Sequence, residues 1–237
     1  MAYRERPAGI PGVVLWERSV APAAARTRIL PDGCLDLIWD GHQLSIAGPD
    51  PAARWHNSPA GTSYTALRFH LGTGPAALGI PASELAGREL PLADAWPAAA
   101  ARELSERVAA DPAAALAAWV AGTAGQQADP FGPRVHAMAR RGAAVTQMAD
   151  RLGLSERQLR RRCLPVFGYG PRRLGRILRM ARALAAARAG LPLAEVAATC
   201  GYADQAHMSR ELLALGGATP TSLLAELGSP GYAARAR

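Results

Sequence analysis

The chain has 237 residues, about half of them hydrophobic, with 27 arginines, no lysine and a formal net charge of +8. That is enough chain for two domains and enough apolar content for a sizeable core. No apolar run reaches the roughly 18–20 residues that cross a bilayer, and the opening MAYRERPAGIPG lacks the apolar segment of a secretory signal, so a cytoplasmic protein without membrane attachment is expected. Three scattered cysteines, Cys34, Cys163 and Cys200, form neither a disulfide framework nor a zinc motif. No HxH pair offers the histidines of a cupin-type metal site, so neither metal nor cofactor is expected.

The charge is segregated. Residues 1–133 hold 10 Arg against 13 Asp and Glu, whereas residues 134–237 hold 17 Arg against 6. Genome bias can explain an all-arginine basic set but not its uneven placement. A basic half beside a mildly acidic one points to a polyanion-binding domain attached to something else.

The first seventy residues read as short strands: VVLWERSV (13–20), RTRIL (26–30), CLDLIWD (34–40), LSIAG (44–48) and YTALRFH (64–70), bounded by Gly, Pro, Asp and Asn. PDG at 31–33 is a turn in which Pro presets its φ and Gly permits a positive one. So many short strands suggest a small sandwich or partial barrel. From residue 75 the pattern turns helical. ASELAGREL opens with Ser83 as an expected N-cap, and two short helices follow, the second capped by Asp111 with Pro112 at its first position. Residues 122–133, GTAGQQADPFGP, read as a linker. The fold class is therefore α+β: a β-rich sensor or dimerisation domain over 1–121, the linker, an all-α domain over 134–227 and a tail over 228–237.

The all-α half contains the same motif twice. VTQMADRLGLSERQLRRRC (145–163) and PLAEVAATCGYADQAHMSREL (192–212) each read as an amphipathic helix, a Gly-centred turn and a second helix capped by Ser155 or Asp204. This is helix-turn-helix chemistry in tandem, in the basic half. Between the two lies PRRLGRILRMARALAAARA (171–189), with Leu174, Ile177, Leu178, Ala181 and Leu184 at helical spacing. At 1.5 Å per residue such a rod spans roughly 28 Å, close to the ~34 Å between successive major grooves.

On these residues the region 134–224 resembles the DNA-binding domain of AraC/XylS-type transcription regulators. The most specific stretch is 193–224, which keeps Val196-Ala197, Gly201-Tyr202, Asp204, Ser209-Arg210, Gly217 and Thr219-Pro220 of that family's pattern. It departs at Met208 and Leu212, where aromatics are usual, and at Leu224, near the family's closing arginine. RILPDGCLDLIWD (28–40), AGPD (47–50), LRFHLGTGPAALGIPASEL (67–85) and PLADAW (91–96) resemble a degenerate cupin-like barrel found before this module in actinobacterial regulators. The resemblance implies a sequence-specific regulator acting on double-stranded DNA. Control by a small-molecule effector or by dimerisation through the N-terminal domain is expected with it, while RNA polymerase as a further partner and the choice of monomer or homodimer stay open.

The residues then divide by chemistry. On the helix after Ser155, Arg157, Arg160 and Arg161 fall within about 100° of one another, opposite Leu159, Cys163 and Val166. Their planar forks suit guanine or phosphate. Gln158 lies beside them, and Arg162 points elsewhere, toward a phosphate or an acidic partner. On the helix after Asp204 the outward set is Gln205, His207, Ser209 and Arg210; a histidine there also serves as a cap or packing group. Arg172, Arg173, Arg176 and Arg179 on the linker helix offer phosphate contacts or a solvated face. In the first half Trp16, Trp39, Trp55, His56 and Arg68 are the candidates for a ligand pocket, although aromatics in a small β domain are more often core. Pro165 sits where the helix should still run, so a break or kink near Leu164 is expected.

Two other readings compete. One is a DNA-repair enzyme with a cysteine alkyl acceptor, which would need an activated, clustered thiol. The other is an architectural binder indifferent to sequence.

Overall fold

A computed structural model describes residues 2–23, 25–123 and 129–228. The part of the linker over 124–128 and the tail over 229–237 lie outside the described residues. The chain is α+β, as its sequence predicts.

Eight strands open the fold: β1 (Ala2–Pro7), β2 (Val13–Ser19), β3 (Ala25–Ile29), β4 (Leu35–Trp39), β5 (Leu44–Ala47), β6 (Arg54–Ser58), β7 (Ser63–Phe69) and β8 (Glu89–Pro91). Six form an antiparallel sheet in the order β1-β2-β7-β4-β5-β8, and β3 pairs with β6 in a separate ribbon. The five strands expected from the sequence are present. Polar β1, β6 and β8 carry no clean alternation and escaped it.

Alternation along β4 decides the layers. Leu35, Leu37 and Trp39 point to one face, where they meet Leu15, Leu67 and Phe69 and the helices α1 (Gly74–Leu78), α2 (Ala82–Leu85), α3 (Leu92–Ala95), α4 (Ala98–Ala110) and α5 (Pro112–Gly122). Asp36 and Ile38 point to the other face, where Trp16, Val20, Tyr64 and Ala66 form a smaller cluster. Asp111 caps α5 by accepting from the Ala114 backbone, with Pro112 in the first turn, as expected. Ser83 is not a cap: Pro81 occupies that position and α2 is a single turn.

Gly33 in the PDG turn has φ +80°, and the turn also docks. A methyl group there would stand 2.7 Å from the Tyr169 hydroxyl and overlap Leu71. Only glycine allows the first half to approach the second this closely.

Seven helices build the second half: α6 (Phe131–Arg140), α7 (Val145–Arg151), α8 (Glu156–Phe167), α9 (Pro171–Arg188), α10 (Leu193–Thr199), α11 (Gln205–Gly216) and α12 (Pro220–Leu227). They share one core, to which Leu71 from the first half also belongs. In α9 the buried face holds Leu174, Ile177, Leu178, Met180, Ala183 and Leu184, while Ala181 is exposed.

Pro165 does not break α8. The helix continues to Phe167 and closes on Gly168 in the left-handed conformation, whose amide donates to the Leu164 carbonyl at 2.9 Å. Only one backbone bond is lost so near the end, and Phe167, which is 1% exposed, anchors the last turn in the core. Pro165 itself is exposed. Pro165→Ala should therefore stabilise the protein by about 1–3 kcal/mol, read as a shift of the urea midpoint.

Candidate nucleic-acid interface

In the first motif, α7 ends in a turn through Gly153, and Ser155 caps the start of α8. The Ser155 hydroxyl accepts from the Gln158 amide at 3.2 Å, and the Gln158 side-chain oxygen accepts from the Ser155 backbone at 2.8 Å. This reciprocal cap satisfies two otherwise orphaned donors. It also engages Gln158, expected on sequence to face DNA, as a structural group. Leu159, Cys163 and Phe167 bury one face. Arg157, Arg160 and Arg161 stand exposed on the other and make no side-chain hydrogen bond or ion pair among the described residues. Arg162 takes the second of its two expected roles: it pairs with Asp129 at 3.1 Å and covers the Phe131 ring at 4.3 Å.

The second motif repeats this plan. Asp204 caps α11 by accepting from the His207 backbone at 2.6 Å. Met208, Leu212 and Leu215 are buried, while Gln205, Ala206 and Arg210 are exposed. His207 Nδ1 accepts from the Ala203 amide at 3.2 Å, and its ring stands edge-on to Tyr202. His207 therefore braces the turn, and Ser209 beside it is half-buried.

The linker helix differs most from its expected role. Arg172 is exposed, and with Arg157, Arg160 and Arg173 it lines a shallow groove of about 530 Å³ between α8 and the start of α9. Arg173, however, donates to the Pro51 carbonyl at 2.8 Å. Arg176 and Arg179 both bind Glu211 of α11, each at 2.7 Å. Burial alone would raise the Glu211 pKa, but the hydrogen bonds and charges of Arg179 and Arg176 outweigh it and hold the carboxylate below its ordinary range. These arginines are thus committed to orienting the second motif rather than free for phosphate.

Of the five candidates for a ligand pocket, Trp16 and Arg68 meet on Asp36, to which Trp16 donates at 2.8 Å; the other three lie apart from them. Trp39 is in the sheet core, Trp55 lies between the guanidinium groups of Arg26 and Arg28 at 4.5 and 4.4 Å, and His56 faces the Tyr64 hydroxyl at 3.5 Å. Arg68 is buried and binds Asp36, its cross-strand partner, at 3.1 and 3.3 Å. Arg68 also faces a cavity. This is a cleft of about 490 Å³ between the two halves, with Asp32, Asp36 and Arg68 on one wall and Leu178, Leu184 and Ala185 of α9 on the other. Sequence reasoning missed the cleft because no local pattern joins β4 to α9. The one available signal was Asp36, a charge on the second face of a strand whose other face is apolar.

His70 and His136 also line this cleft, one from each half. Burial pushes the His136 pKa below its ordinary 6.5, and Arg140 and His70 push it further. Folding therefore favours neutral His136. This contribution is complete above the unfolded pKa, near 6.5, and is lost as pH falls through the lowered folded value. Urea midpoints should decline below about pH 6.5, and His136→Gln should flatten that decline.

Two exposed recognition-type helices, each capped and backed by an apolar face, define a double helix-turn-helix DNA-binding protein. Comparison with known families agrees. Residues 148–226 match the family described as "Helix-turn-helix domain", and residues 13–91 match one described as "Domain of unknown function (DUF6597)". The chain carries an AraC-type helix-turn-helix domain behind a β-rich N-terminal domain, and it is a DNA-binding transcription regulator. Among solved structures, an apo point variant of ToxT from Vibrio cholerae strain SCE256 is similar with a TM-score of 0.50 and 11% identity, over 94% of this chain and 100% of that one. Wild-type ToxT of the same strain, bound to an unsaturated fatty acid, gives 0.46 and 9%, over 92% and 95%. No curated protein matches by sequence.

Proposed function

We propose that the protein reads a two-part DNA site by inserting α8 and α11 into successive major grooves. The observation that carries this reading is the pair of exposed, capped helix faces joined by an 18-residue helix. At 1.5 Å per residue that helix is about 27 Å long, which suits adjacent turns of duplex. Arg157, Arg160 and Arg161 serve the first groove, Gln205 and Arg210 the second, and Arg172 a flanking phosphate. Residues 131–227 form the DNA-binding domain and 1–121 the controlling domain; Phe131–Pro133, expected in the linker, open α6 instead and shorten the linker to the residues before them. The protein acts in the bacterial cytoplasm as a monomer or homodimer and has no enzymatic role. Among the described residues no helix is long and apolar enough to cross a membrane.

The cleft supports control by a small molecule with an apolar body and a polar end. Filling it with Ala185→Trp should abolish any ligand-induced rise in melting temperature; an unchanged rise would place the effector elsewhere. Against a cysteine alkyl acceptor stands the state of the thiols. Burial pushes Cys163 up to about 12 and Cys34 well above its ordinary value, so neither is an available thiolate.

Selection of the full chain on randomised duplexes tests the reading. Enrichment of one composite motif is expected, and enrichment of none would refute it.

A further inference from the structure

The first half grips the second through one short loop. Residues 48–53, GPDPAA, join β5 to β6 and touch three helices of the DNA-binding half. At the loop's start, the Gly48 amide donates to the Arg88 carbonyl at 2.9 Å, and Gly48 lies against the Leu85 carbonyl at the end of α2. Next, the Pro49 ring packs on Gly168, the residue that ends α8; a methyl on Gly168 would stand 2.6 Å from it. The Pro51 carbonyl accepts from Arg173 in the first turn of α9. Finally, the Ala53 amide donates to the Leu215 carbonyl in the last turn of α11 at 2.6 Å.

Arg28 of β3 completes the grip. It donates to the Gly216 carbonyl at 3.2 Å and binds both carboxylate oxygens of Glu226 in α12 at 2.9 and 3.1 Å. The last carbonyls of a helix lack intrahelical donors and carry partial negative charge. Here a backbone amide and a guanidinium from the other half supply both needs.

The consequence is geometric. Pro49 and Ala53 are four residues apart and so at most about 14 Å apart along the chain. The C-terminal ends of both recognition helices are therefore tied to one short strap, while their reading ends project freely. Each helix has 12 residues and is about 18 Å long, so a 10° tilt at the tied end moves the reading end by about 3 Å. That is close to the ~3.4 Å between base pairs.

We infer that the 48–53 loop and Arg28 are positioning elements that set the separation of the two half-sites the protein accepts. This rests on the reading of α8 and α11 as the base-reading helices. It adds that the N-terminal domain, and not the linker helix alone, holds them in register.

The test uses the full chain and a series of selected duplexes with one base pair removed, or one or two inserted, between the half-sites. Wild type should lose about tenfold or more in affinity at each altered spacing. Arg28→Ala should weaken binding at the native spacing but change the altered ones by less than about twofold, flattening the profile, with base preference inside each half-site unchanged. Arg28→Glu should behave likewise, and adding Glu226→Arg should restore the discrimination. If Arg28→Ala folds poorly, Glu226→Gln gives the same profile test. Variant profiles parallel to wild type, with base preference intact, overturn the positioning role alone. Loss of base preference in wild type itself overturns the DNA-reading conclusion and this inference with it.

Discussion

Arg157→Ala and Arg210→Ala are each expected to relax discrimination at a single base position, at a cost of about 1–3 kcal/mol against the preferred base. Both side chains are exposed and have no ion-pair partner among the described residues, so removing them leaves nothing buried and unsatisfied. Each lies in the first half of its helix, where a major-groove helix meets base edges. A bidentate fork to guanine O6 and N7 carries sequence information, whereas a fork to phosphate does not. The two cases separate cleanly. Base contact gives a loss confined to duplexes with the preferred base at one position. Phosphate contact gives an equal loss on all duplexes and a salt slope smaller by about one. Competition binding on single-substituted duplexes distinguishes them. Arg176→Ala should behave otherwise, because its partner is Glu211: the loss should fall on the whole second half-site.

Gly48→Ala should be the most damaging single methyl in the first half. The added carbon would overlap the Leu85 backbone carbonyl, with the Leu85 side chain 2.9 Å away. Neither a rotamer change nor a flexible tip can relieve a clash with backbone. Either α2 moves, and with it its packing on α8, or the loop leaves its seat. Overpacking costs typically about 1–3 kcal/mol and more when backbone must shift, so a loss of at least ~3 kcal/mol is expected. In a protein of this size that corresponds to a fall in melting temperature of roughly 6–12 °C. A fall of only a degree or two would mean that Gly48 is not held against α2.

What the sequence revealed was local. The tandem motif was legible because caps, turn glycines and apolar faces are all set within twenty residues: Ser155 and Asp204 cap as expected, and Leu159, Cys163, Met208 and Leu212 are buried. β4 and β7 were legible because one face of each packs against apolar neighbours. What escaped was non-local. Arg173 and Arg176 look like Arg172 on a helical wheel, and only the fold brings Pro51 and Glu211 to them. Trp39, Trp55 and His56 could not be sorted from a ligand site until their neighbours were known. Pro165 misled in the opposite direction, because a local rule lost to the burial of Phe167 two residues on.

The most direct measurement is a base-resolution footprint of the full chain on its selected duplex. Two protected major-groove segments on one face, centred about 10–10.5 base pairs apart, are predicted, with Arg157→Ala changing contacts in one segment and Arg210→Ala in the other. A single protected segment, or uniform protection that follows no sequence, would contradict the account.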